Sequence, residues 1–395
     1  MTFSAKSKCA AAVRHSVLLA LALVLACGSG IASAAPPLEP DVEGPAATIP
    51  APKPNWVYIN RGFTVPGFTI FDTDTGKMVG LIEGTWLADM DVDPAGKAYY
   101  VSETFWSKGF RGTRQDMVTV YDSASLKLQT EIAMPGRILI GSRMNNFVVS
   151  TDGSTGYVYN LSPASSVNVI DLAKRKFVRN IELPGCASML PNPGVGFSAL
   201  CSDGSMATVA TTGAKPVITR TAPFFAATDD PIFDNFVYDK TKRQALFITY
   251  TGMIYTAAIS AAPTVSEPFS IQVAAGVRKA DTKPLDINWY PGGRQNMALH
   301  AATQHVYVLM HMGEYWTQKA DCTEIWELDL AAKKVVRRMV LDKPAAHIAI
   351  TQEAAPKIIL TGDEGTVRIL DAKTGAEKFK IENGGGGVLR TVGPS

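Results

Sequence analysis

Thr69-Ile70-Phe71-Asp72-Thr73-Asp74-Thr75-Gly76-Lys77 is an alternating apolar run that stops on an aspartate, turns over a glycine and resumes with a base. The same grammar returns in Val118-Thr119-Val120-Tyr121-Asp122 and in Val167-Asn168-Val169-Ile170-Asp171. It returns again in Ile325-Trp326-Glu327-Leu328-Asp329 and in Val367-Arg368-Ile369-Leu370-Asp371. Asp72, Asp122 and Asp171 are 50 and 49 residues apart, and the 158 residues from Asp171 to Asp329 leave room for two further units. Cys201-Ser202-Asp203-Gly204-Ser205-Met206 and Met253-Ile254-Tyr255-Thr256-Ala257 are read as degenerate copies.

A second half-unit precedes these runs, a polar turn followed by an aromatic or aliphatic strand. Examples are Asp93-Pro94-Ala95-Gly96-Lys97-Ala98-Tyr99-Tyr100 and Thr303-Gln304-His305-Val306-Tyr307-Val308. Asp, Asn and Gly tolerate the turn dihedrals that join antiparallel strands, and alternation marks a strand with a buried face. Two hairpins per period of about 50 residues make a four-stranded unit, and fixed-period repetition is the signature of radial or stacked architectures. The sequence therefore predicts an all-β, seven-bladed propeller of four-stranded antiparallel blades. Such a ring hides the sheet edges that a flat sheet of this size would expose. A pair of β-sandwiches is the alternative, and the even spacing disfavours it.

Outward from the repeats, the chain divides into residues 1–34, 35–55 and 56–395. Lys6, Lys8 and Arg14, the apolar run Val17 to Ala26 and Ala32-Ser33-Ala34 have the form of a cleaved secretory signal peptide. That run is far shorter than the ~20 residues a helix needs to cross a bilayer. Export to the periplasm without membrane insertion is expected. From Pro36 to Pro54 seven prolines and no apolar periodicity predict an extended arm.

The leader removes three of the 38 basic residues and no acidic one, leaving 35 against 36. A chain so balanced has no strong field for nucleic acid. Three cysteines remain, Cys186, Cys201 and Cys322. Cys186 and Cys201 flank the turn-forming Pro191-Asn192-Pro193-Gly194, so they are the expected disulfide. Closing a loop of that length is worth roughly 3 kcal/mol in the chain-entropy view. The alternative leaves all three reduced and buried.

Function is not readable from the repeats, because propellers serve enzymes and binding modules alike. Three further stretches carry a resemblance. Asn288-Trp289-Tyr290-Pro291-Gly292-Gly293-Arg294 runs on to His300, then to Met310-His311 and Glu324-Ile325-Trp326. Ser102-Glu103-Thr104-Phe105 leads through Arg111-Gly112-Thr113-Arg114 to Asp122, and Cys186 pairs with Cys201-Ser202-Asp203-Gly204. Together, from about Gly76 to the C-terminus, the sequence resembles the heavy subunits of tryptophan tryptophylquinone-dependent amine dehydrogenases.

The resemblance implies a periplasmic α2β2 heterotetramer in which a small, disulfide-rich subunit carries the quinone and no cofactor is covalently bound by this chain. The assembly would oxidise a primary amine to aldehyde and ammonia and pass electrons to a blue copper protein of amicyanin or azurin type. The protein supplies position and desolvation while the cofactor supplies the chemistry. No catalytic residue and no metal ligand set is expected on this chain. Gly84-Thr85-Trp86-Leu87 aligns with the segment where the family places an aromatic residue facing the quinone, so the resemblance makes Trp86 and Leu87 substrate-channel residues. The competing reading makes Trp86 an ordinary core aromatic between blades. Asp229-Asp230-Pro231, Met310-His311 and Glu324-Ile325-Trp326 look closer to the aralkylamine enzymes than to the methylamine ones. The other class of function is a stand-alone periplasmic propeller, either a binding protein or a lactonase-like hydrolase.

Remaining constellations have ordinary explanations. His300, His305, His311 and Glu314 offer ligand chemistry without metal-site spacing. Asp229-Asp230 reads as a loop pair before a proline rather than an acid/base pair. Lys108, Arg111 and Arg114 would dock an anionic partner or sit in a solvated loop. Gly384-Gly385-Gly386-Gly387 lacks the Lys-Ser/Thr of a phosphate loop and reads as a flexible closing turn or tail.

Overall fold

The computed structural model describes residues 47–62, 65–141, 143–362 and 365–393. The expected leader and most of the expected arm lie outside them. Among the described residues the chain forms seven antiparallel sheets and one short α-helix, Ile271–Ala274. Each sheet is a blade. In the second, Asp89–Val92 is innermost, followed outward by Ala98–Lys108, Arg111–Asp122 and Leu128–Met134. The fourth and seventh repeat this order over Cys186–Arg220 and His347–Ile381. In the third and sixth the innermost strand is broken in two, Arg137–Ile138 with Phe147–Val149 and Asn288–Pro291 with Met297–His300.

The first blade closes the ring. Its innermost strand is Leu389–Thr391, from the far end of the chain, paired with Trp56–Asn60 through Val57↔Thr391 and Ile59↔Leu389. The glycine run makes this closure possible. Gly385 has φ +131°, Gly387 N–H donates to Asn60 O at 3.0 Å, and a Cβ on Gly387 would stand 2.8 Å from that oxygen. Close backbone approach of this kind leaves room only for glycine. The segment is thus a closing turn, packed against the first blade rather than hanging as a tail.

The core is not one mass but seven layers, each between two neighbouring blades. Trp56, Tyr58, Phe68 and Ile70 of the first blade meet Met90, Tyr99, Val101 and Tyr121 of the second. Equivalent layers join every following pair, and Val57, Ile59 and Leu389 meet Ile359, Val367 and Ile369 where the seventh blade returns to the first. Inner strands are consequently buried on both faces, as in Trp56–Asn60, whereas alternation alone suggested one. Outermost strands such as Val217–Arg220 are exposed throughout.

The recurring aspartate has a local cause. Asp72 Oδ1 accepts from the backbone N–H of Asp74 at 2.9 Å, and Asp122 Oδ1 from Ser125 at 2.7 Å. Asp171, Asp329 and Asp371 accept from Lys174, Ala332 and Thr374 in the same way. Each closes the turn between the third and fourth strands by the side-chain-to-backbone bond typical of Asx turns. The third strand of the fourth blade is Met206–Ala210, so the copy read at Cys201–Met206 is the turn leading into it. Met253–Ala258 is the third strand of the fifth blade.

Candidate functional site

Because every innermost strand starts on the same side of the ring, the two faces differ. The turns closed by the recurring aspartates lie on the lower face. The upper face, where inner strands begin, receives the longer segments: residues 83–88, 103–116, 135–146, 221–236, 271–287 and 312–321. Large apolar side chains stand exposed there, Phe110 and Leu285 at 77% and 83%, with Phe105, Ile287, Met312 and Trp316. These side chains, on different blades, are the candidates on this face for contact with a partner.

Trp86 and Leu87 lie on this face, both half-buried, in the crossover from the first to the second blade. Leu87 has φ +61°, a left-handed conformation uncommon outside glycine. Its carbonyl accepts from Gly141 N–H at 3.1 Å. The Trp86 ring packs on Phe110, centroids 5.1 Å apart at 35°. Beneath the crossover is a residue that sequence reading did not single out. Glu103 is fully buried; its Oε2 accepts from Thr85 N–H at 2.8 Å and its Oε1 from the Thr119 hydroxyl. Burial pushes its carboxyl up to about 7. The signal available in sequence was an acid inside an otherwise apolar strand, Ala98-Tyr99-Tyr100-Val101-Ser102-Glu103.

The axis holds a second cluster unseen in the sequence. Arg390, on the closing strand, meets Asp89 at 3.2 Å and Asp91 at 3.5 Å, all three nearly inaccessible. Asp89 Oδ2 also accepts from the N–H groups of Asn146 and Phe147, which ties the first three blades together.

A comparison with known proteins decides the family. The family model described as methylamine dehydrogenase heavy chain (MADH) matches residues 57–392, nearly the whole ring. The chain belongs to that family. Methylamine dehydrogenase heavy chains from Methylobacillus flagellatus and Paracoccus versutus are 28% and 27% identical to it. The matches cover 92% and 86% of this chain, and 94% and 79% of theirs. One from Methylorubrum extorquens is 26% identical, over 84% of this chain and 80% of its own. Among solved structures, dihydro-heme d1 dehydrogenase NirN aligns with TM-score 0.56 and 17% identity over 90% of this chain and 79% of its own. The Cps50 (Swd1) β-propeller domain of Myceliophteria thermophila aligns with TM-score 0.56 and 13% identity, over 83% and 100%. These two share the fold alone. As a member of the methylamine dehydrogenase heavy chain family, the chain is a subunit of an amine dehydrogenase, an oxidoreductase.

One motif behind the resemblance, Pro291-Gly292-Gly293, is a packing device. A Cβ on Gly292 would lie 2.5 Å from His311 Nδ1 and 2.9 Å from Cys322 Sγ, and one on Gly293, with φ +86°, 2.5 Å from Ala346 O. Pro291-Gly292-Gly293 is therefore what lets the sixth blade's inner strand pass over His311 and Cys322. Cys186 and Cys201 form the expected disulfide across the fourth blade, and Cys322 is buried beside His311.

The other candidates are dispersed. His300 bonds Thr303 and the Glu353 carbonyl on the lower face, and His305 bonds Glu327. His311 bonds Thr317, and burial holds its ring pKa down at about 4. No group of three metal-ligating side chains forms among the described residues. Asp230 accepts from Thr249 and Thr251, a structural cap, while the Asp229 carbonyl accepts from Tyr315. Arg114 is bound to Asp116 and the Ile138 carbonyl, whereas Lys108 and Arg111 stand exposed at the hairpin tip.

Proposed function

We propose that this chain is the platform subunit of a periplasmic quinoprotein amine dehydrogenase. A small subunit bearing tryptophan tryptophylquinone docks on its upper face in an α2β2 assembly. The observation that carries the reading is the family match across residues 57–392, which follows the whole ring rather than one motif. The exposed apolar side chains of the upper face support it, because they supply a surface for a partner chain. The leader, in residues 1–34, supports export, and no helix among the described residues is long and apolar enough to cross a membrane.

The quinone would be built from the partner's own tryptophans and supply the two-electron oxidation of a primary amine to aldehyde and ammonia. The part left to this chain is a wall of the amine channel, and the flat ring of Trp86 beside Leu87 fits that part, with Phe110 packed behind it. Apolar walls exclude water and set the size of the amine that enters.

The substrate we favour is methylamine or another small amine. The relatives are methylamine dehydrogenase heavy chains. The segments that pointed to aralkylamines lie elsewhere: Asp230 caps a turn, Met310 is core, and Glu324 bonds Trp326 and Arg338. They give no handle on amine size. Electrons would leave to a blue copper protein of amicyanin or azurin type. The Pro-rich arm, beginning at Pro36, would lie along the small subunit. Its last residues are tied to the ring, where Ile49 N–H donates to Ala124 O at 2.9 Å.

The test is purification from the native periplasm. The expected result is co-purification with a small, cysteine-rich, quinone-staining chain whose visible absorption bleaches on adding methylamine. A lone chain without visible absorption would overturn the proposal and favour a stand-alone binding protein or lactonase-like hydrolase.

A further inference from the structure

The segment that carries Trp86 has no regular structure of its own, yet its ring must keep a fixed place if it sets the width of a channel. Two residues of one hairpin, Ala98–Lys108 with Arg111–Asp122, supply that constraint. From below, the fully buried Glu103 takes the Thr85 N–H, one residue before the tryptophan, at 2.8 Å. From above, the Phe110 ring at the hairpin tip lies 5.1 Å from the Trp86 ring although most of its surface is exposed. The hairpin is itself stiffened between these points. Arg114 forks onto Asp116 at 2.8 Å and lies over the Trp106 ring at 5.4 Å. On the far side of the tryptophan, the left-handed Leu87 is pinned through its carbonyl by Gly141.

Glu103 serves this site as an acceptor rather than as a charge. Both of its oxygens are taken by uncharged donors, and an amide would meet the Thr85 N–H at lower desolvation cost. What the site requires is a buried acceptor at that point under the crossover. The geometry points to Glu103 and Phe110 as positioning residues that clamp Trp86 from either side and thereby fix the largest amine the channel admits. This rests on the reading of Trp86 as a channel wall and adds to it the residues that hold the wall in place. Released from either contact, the ring can swing aside, so longer amines gain while the chemical step, performed elsewhere, is little changed.

The experiment uses the enzyme assembled with its small subunit and compares methylamine with butylamine. Glu103→Met and Phe110→Ala should each raise the butylamine-to-methylamine ratio of kcat/KM by about tenfold, the scale on which a pocket discriminates chain length. The change should sit in KM for butylamine, with kcat nearly constant. Glu103→Gln, which restores the acceptor, should leave the ratio within about twofold. In a Trp86→Ala background neither variant should add anything, because residues acting through one element are not additive. If Trp86→Ala moves the ratio and Phe110→Ala and Glu103→Met do not, the clamp is wrong while the channel wall stands. If Trp86→Ala leaves the ratio unchanged, the channel wall itself falls and the clamp with it. Should Glu103→Met fail to fold, Phe110→Ala decides alone, since an exposed ring can be removed without opening the core.

Discussion

Buried charges show most clearly what single residues do in this ring. Arg390 neutralises Asp89 and Asp91 inside the axis. Removing it leaves two carboxylates without a counter-charge, a change that costs roughly 3–5 kcal/mol when one partner of a buried pair is lost. Arg390→Ala should lower unfolding free energy in urea by that amount, and a loss under 1 kcal/mol would show that the cluster is not what fastens the closing strand. Glu103 behaves oppositely. Its folded carboxyl, raised by burial to about 7, holds a proton that the unfolded chain has already released above its ordinary value of 4.5. The folded state therefore binds more protons between those values, and its contribution to stability is lost as pH rises from about 4.5 to 7. Glu103→Gln should abolish that decline, measured as the difference in Tm between the two proteins across the interval. An unchanged slope would place the titration elsewhere. His311 works in the other direction, favouring the fold as pH rises from about 4 to its ordinary value.

Elements in this protein are specified by turns more than by strands. The glycine crossover into the last strand tolerates no side chain at its tightest points. Gly384→Ala would bring a Cβ within 2.6 Å of Val367 Cγ2 and should cost about 1–3 kcal/mol, the usual range for overpacking. Gly276→Ala, a turn glycine with open space around it but φ +72°, should show only the milder conformational penalty in the same denaturation assay. The aspartate-capped turns are why the blades were legible in the sequence. A short side chain that must accept from the N–H two or three residues on leaves a mark at fixed period. The fourth and fifth blades were harder to read because their third strands end at Ala210-Thr211 and Ala258-Ile259, without that acceptor. In the fourth blade Arg179 from the neighbouring blade takes the turn carbonyls of Thr211, Gly213 and Ala214 instead. The upper-face segments obey no period, so nothing set Glu103 apart within Ser102–Phe105 and nothing pointed to Phe110. Trp86 was proposed only through resemblance to a family.

At the scale of the whole molecule, the two faces of the ring are built differently. Seven interblade layers and the axial ion cluster hold the fold, and the lower face is given to short closed turns. The upper face carries long segments and exposed apolar side chains whose loss should not trouble the fold. Leu285→Asp and Trp316→Ala should leave Tm within about 2 °C, as surface substitutions do. Both should weaken co-purification of the small subunit, and normal assembly by both would move the docking surface elsewhere. The proposed role of this chain is to position a chemistry it does not perform. The direct measurement is amine-dependent reduction of an artificial electron acceptor by the purified chain, with and without the proposed quinone-bearing subunit. The expected result is no turnover by the chain alone and full turnover on reconstitution; steady oxidation of methylamine by the isolated ring would overturn the proposed function.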